Sequence, residues 1–117
     1  MLSYEQIIEA MENEGRKIGQ LAEECADVAQ NAGECESDYK IEFAKARITI
    51  RDDVAATGGK ITVGEVDDLA LVQCIDSHRA YLLAQGSLTA IRDALRASQA
   101  RLDALRTIAS GYRQAGG

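Results

Sequence analysis

Apolar residues recur along this chain in alternating steps of four and three. From Tyr4 the series runs through Ile8, Met11, Gly15, Ile18, Ala22, Cys25, Ala29, Ala32, Glu36, Tyr39, Phe43, Ala46, Ile50 and Asp53, and only Gly15, Glu36 and Asp53 depart from apolar character. A second series starts at Val63 and continues through Asp67, Ala70, Cys74, Ser77, Tyr81, Ala84, Leu88, Ile91, Leu95, Ser98, Leu102, Leu105, Ala109 and Tyr112, with Asp67, Ser77 and Ser98 polar. Two seven-residue patterns of this length predict two long helices, each with a seam that faces a partner helix.

The ends of both series carry helix punctuation. Ser3 with Gln6, and Thr62 with Glu65, have the spacing of a capping box, in which a hydroxyl accepts from a first-turn amide and the later side chain reaches back. Gly58-Gly59 stands where a glycine closes a helix. The expected elements are a helix over 3–56, a turn over 57–61 and a helix over 62–113. Near-equal helices on a short connection predict an all-α fold, a long antiparallel helical hairpin forming one domain over 1–117.

Folding at the glycine pair brings together residues whose numbers sum to about 117, so Gly15 lies near Leu102, Ala22 near Leu95 and Phe43 near Cys74. Large side chains then meet small ones, as interdigitating layers require. Charge agrees with this register: residues 1–35 hold eight acids and two bases, and residues 91–117 hold two acids and five bases. Apolar residues also lie off the seams, at Ile7, Leu21, Val28 and Ile41 on the first helix and Leu71, Val72, Ile75, Leu82 and Leu83 on the second. Two helices bury only a narrow stripe each, so a homodimer closing a four-helix bundle, or a higher oligomer, is expected; a monomer that folds back on itself is the alternative.

Composition fits this reading. The chain has no proline and few aromatic residues, and its 46% apolar and 27% charged content is that of a folded chain. A net charge of -6 argues against general nucleic-acid binding, which needs clustered Lys and Arg. No apolar run approaches the roughly 20 residues that span a bilayer. The start MLSYEQIIEAMENEG lacks the basic and apolar regions of a signal peptide, so a cytoplasmic protein without a membrane role is expected. Cys25, Cys35 and Cys74 show no C-x-x-C spacing and read as small apolar residues in a reducing compartment.

Candidate chemistry is sparse. His78 is the only histidine and lacks partners for a metal or a triad, and no Glu-x-x-His motif is present, so no catalytic residue, metal or cofactor is expected. Glu36 occupies a seam position opposite Tyr81, whose hydroxyl would satisfy a buried carboxylate and fix register; ligand binding is the other role open to it. Arg92, Arg96, Arg106 and Arg113, with Arg101 beside them, form a row that either pairs with the acidic first arm or presents a phosphate-binding stripe. Gly58-Gly59-Lys60 lacks the spacing of a phosphate loop, although Lys60 at the next helix start could still hold an anion. Gly33 and Gly86 fall at nearly the same level, as close backbone contacts, tolerated weak points or hinges.

The segments DYKIEFAKARI (38–48) and HRAYLLAQGSLTAIRDALRASQARLDALRTI (78–108) resemble small helical-hairpin proteins encoded by bacteriophages, particularly those of actinobacteria. The shared features are the helical spacing, Tyr39-Lys40, and the late run of Leu102, Ala104, Leu105 and Arg106, over roughly 38–110. That resemblance implies an accessory role in phage DNA metabolism or counter-defence, in the host cytoplasm. Two functions follow as expectations. One is a non-catalytic, oligomeric interaction protein that docks on a phage or host protein; the other is a module that sequesters a nucleotide signal with arginines and tyrosines such as Tyr81.

Overall fold

A computed structural model describes residues 1–116. Its regular elements are helices α1 (Tyr4–Ala56), α2 (Val63–Gln73) and α3 (Ile75–Gly116), so the fold is all-α, a helical hairpin. Helix α1 opens with the expected capping box: Ser3 N donates to Gln6 Oε1 at 2.8 Å, and Gln6 N donates to Ser3 Oγ at 3.1 Å. It closes on a glycine cap. Gly58 has φ +72°, Gly59 N donates to Val54 O at 3.1 Å, and Gly58 N donates to Ala55 O at 3.0 Å. These are the paired bonds of a Schellman motif, which needs a left-handed residue that glycine supplies without steric cost. Thr62 is extended and its hydroxyl accepts from Glu65 N at 3.2 Å, which starts α2.

The helix expected over 62–113 comes in two pieces, because Cys74 leaves helical geometry with φ -103° and ψ 23°. Its N–H is shared between Ala70 O at 3.0 Å and Leu71 O at 3.1 Å, and His78 N resumes the ladder on Cys74 O at 2.9 Å. The Ser77 hydroxyl donates to the same carbonyl at 3.1 Å. Such a three-centre bond perturbs one residue and keeps the spacing of those on either side. Hydrophobic periodicity therefore runs through the break without registering it.

Two compact units make up the chain. The first comprises Met1–Val28 with Leu88–Gly117, and the second is Ala29–Ser87. In the first unit the start of α1 runs antiparallel to the end of α3. Glu14 meets Arg101 at 2.9 Å, the Tyr4 and Tyr112 rings lie 6.0 Å apart, and the Tyr112 hydroxyl donates to Leu2 O. Ile7, Leu88, Ala109 and the fully buried Ser98 belong to this unit.

In the second unit the end of α1 packs against α2 and the first turns of α3. Ala46, Ile50, Val66, Ala70 and Cys74 form its core, with Tyr39, Phe43 and Ile61 packed against them. Ile50 and Val66 each contribute about 1.5–3 kcal/mol by burial, set against the smaller alanines. The seam of α2 takes in Val66 at once and leaves Val63 exposed. Thr62 fixes the phase of the first turn, and that phase turns Val63 outward. Contacts within both units keep residue numbers summing close to 117, as the register expected from the sequence requires.

Candidate functional site

The second unit exposes apolar side chains on the outer sides of both its arms. Ile41 and Ile48 stand on α1, seven residues apart and roughly opposite the seam residues Phe43 and Ala46. Leu69 and Val72 stand on α2, and Ile75, Leu82 and Leu83 on α3. With Val66 and Ala70 buried on the inner side, α2 carries apolar residues on both its inner and outer sides, interspersed with Glu65, Asp67, Asp68 and Gln73. In the first unit the exposed large apolar residues, Met1, Leu2, Tyr4 and Ile108, belong to the end where the termini meet.

Between its two arms the second unit holds an aromatic cluster. The Tyr39 and Tyr81 rings stack at 5.6 Å with 13° between planes, and His78 lies 4.9 Å from Tyr39 at 56°. Phe43 adjoins Tyr39 at 5.8 Å, and the Arg47 guanidinium lies 5.9 Å from the Phe43 centroid. Arg47 also reaches Asp67 across the unit at 2.9 Å, without hydrogen-bond alignment. The cluster gives His78 a packing role at the flank of the seam.

Glu36 is satisfied differently from the expectation. It accepts from Lys40 Nζ at 2.7 Å, one turn along its own helix, and is only half-buried. Tyr81 instead spends its ring on Tyr39. The Glu36 hydrogen bond, and then its charge, raise the Lys40 pKa above the ordinary 10.5. The physical reason is reach: an exposed lysine at i+4 meets the carboxylate without the loss of solvation that a buried pair entails.

The row of arginines is dispersed among partners. Arg96 pairs with Asp93 at 3.6 Å and Arg106 with Asp103 at 3.4 Å, both along α3 itself, while Arg92 and Arg113 are exposed. Among the described residues, Arg101 alone of this set pairs with the acidic first arm. Arg113 borders an open hollow of about 310 Å³ with Tyr4 and Tyr112. Lys60 is exposed in the turn. These arginines lie in the first unit, whereas Lys60 and Tyr81 lie in the second.

Sequence reading passes over the most constrained polar group. Arg101 Nε donates to Glu14 Oε1 at 2.9 Å and its Nη2 donates to Ser98 Oγ at 3.0 Å, so the polar seam residue Ser98 is bridged to the opposite helix. The Arg101 hydrogen bond holds the Glu14 pKa below the ordinary 4.5, against the opposing effect of burial and with help from the Ser98 hydroxyl. The available signal was Ser98 itself, a hydroxyl in an apolar series with an arginine at i+3. Cys74 is buried, and burial, then the Glu42 charge, pushes its thiol above 9.0. A buried thiol of this kind fits a structural place in the core rather than a reactive one.

Among the described residues, no group of three or more His, Cys, Asp or Glu is placed to hold a metal ion, and no helix is long and apolar enough to cross a membrane. Comparison with family models, curated proteins and solved structures returns no match.

Proposed function

We propose that this protein is a non-catalytic accessory protein of a bacteriophage, an oligomeric helical bundle that docks through exposed helix faces on a phage or host protein in DNA metabolism or counter-defence. The carrying observation is the apolar outer surface of the second unit, with Ile41 and Ile48 on one arm and six large apolar residues on the other. Exposed large apolar residues grouped on a helix face are the kind of surface that marks interaction sites. The phage setting rests on the resemblance of segments 38–48 and 78–108.

A second reading has one observation in its favour: Tyr4, Tyr112 and Arg113 border a hollow, two rings and a guanidinium that suit a nucleotide. Two measurements separate the readings. A photo-crosslinking residue at Ile48 should give discrete protein adducts in host cells, while one at the exposed polar position Glu23 should give none. A panel of linear and cyclic nucleotides should leave the unfolding temperature unchanged. Stabilisation by one nucleotide, with no adduct at Ile48, would replace docking by nucleotide sequestration.

A further inference from the structure

On the outer side of the second unit, α2 and α3 carry a second series in steps of four and three: Asp68, Val72, Ile75, Arg79, Leu82 and Gly86. The backbone bonds through Cys74 carry the spacing across the break. Val72 is 69% exposed, and the flanking Leu83 is 73% exposed. Asp68 and Arg79 are also exposed. Neither takes part in an ion pair among the described residues, whereas Arg47, Arg96, Arg101 and Arg106 all do.

We infer that this stripe is the contact surface for a second copy of the chain, packed antiparallel about a two-fold axis between Val72 and Ile75, so that Asp68 of each copy meets Arg79 of the other. The series is self-complementary in that orientation and in no parallel one. When Asp68 faces Arg79, the same register sets Val72 against Ile75, and the two-fold axis repeats both contacts, as an isologous interface requires. Parallel packing in register would set Asp68 beside Asp68 and Arg79 beside Arg79. Two ion pairs thus bracket a four-residue apolar centre, the arrangement by which flanking charges choose orientation in helix pairs.

The area suffices. Leu69, Val72, Ile75, Leu82 and Leu83 together expose on the order of 500 Å² per copy, and flanking polar residues bring the contact toward the roughly 800 Å² per partner of a standard interface. Self-contact on this stripe rests on the association reading above, while docking of another protein through Ile41 and Ile48 stands without it.

The native mass of the full chain against concentration, by sedimentation equilibrium, tests the contact. The expected result is twice the 12.6 kDa chain mass. Asp68→Arg alone and Arg79→Asp alone should each weaken the dimer by about tenfold or more, since each places like charges together twice. The two together should restore wild-type association to within about threefold, with helix content unchanged in all variants. Val72→Lys, which leaves both charges in place, should give a monomer. A wild-type chain that stays at 12.6 kDa, or single reversals that the double variant does not rescue, would overturn the assignment. Adducts at Ile48 that persist in such a monomer would show that docking survives its failure, and their loss as well would remove both.

Discussion

The two units draw on the same helices but treat polar and apolar surface in opposite ways. The first places a polar cluster in its seam, with Ser98 fully buried and bridged through Arg101 to Glu14, and keeps its exposed apolar residues to the terminal end. The second fills its seam mainly with Ile50, Val66 and aromatic rings, with the Arg47–Asp67 pair at its side, and leaves apolar residues on both outer sides. Buried hydrogen-bonded groups fix register at some cost in stability, whereas apolar surface adds stability without direction. One region is thus completed within the chain. The other leaves apolar residues exposed on both outer sides, and the association proposed above is put there for that reason.

The largest effect should come from the apolar seam. Ile50→Ala should destabilise the protein by about 2–4 kcal/mol in urea unfolding, because it removes a buried side chain and leaves a cavity beside Val66 and Ala70. Ser98→Ala, in the first unit, should cost only about 1 kcal/mol, since it deletes an acceptor for Arg101 that Glu14 still partly satisfies. Equal losses would mean that the two seams are energetically alike and would undo the contrast.

Helix-interior glycines probe the same contrast with the opposite sign. A Cβ added at Gly33, in the second unit, or at Gly19, in the first, meets nothing within 4 Å, which removes close backbone contact as a reason for glycine. Both lie in unbroken α1. Gly33→Ala and Gly19→Ala should therefore each stabilise by about 1 kcal/mol in thermal unfolding. If Gly33→Ala gained nothing, or impaired binding while Gly19→Ala did not, a flexing role for position 33 would follow.

The architecture was legible because it rests on spacing. Period and caps carry one-dimensional information, so the heptad series, Ser3-Gln6, Gly58-Gly59 and Thr62 were enough to place the helices, the turn and the antiparallel register. What spacing cannot carry is the choice among partners within reach. Glu36 had Tyr81 across the seam and Lys40 one turn away, and the nearer, solvated partner took it. The arginine row met the same ambiguity, with Asp93 and Asp103 competing against the acidic arm. The single-residue break at Cys74 was also out of reach, since it leaves the hydrophobic period unchanged.

The smallest effect separates the units by pH. The lowered Glu14 pKa means that the folded state favours the carboxylate, so this contribution is fully present above the ordinary 4.5 and is lost as pH falls through the lowered value. The raised Lys40 pKa has the opposite sense: its contribution is present below 10.5 and is lost as pH rises through the raised value. Arg101 stays charged throughout, so acid acts on the first pair through Glu14 alone. Wild type should therefore exceed Glu14→Gln in urea midpoint near neutral pH, and the gap should close as pH falls through the lowered pKa, where the protonated acid resembles the amide. The gap between wild type and Lys40→Met should narrow at the other end of the scale, in strong base, as Lys40 loses its proton. A Glu14→Gln gap that stayed constant into acid would mean that shape rather than charge holds Glu14 to Arg101. The first unit would then owe its register to packing, as the second does.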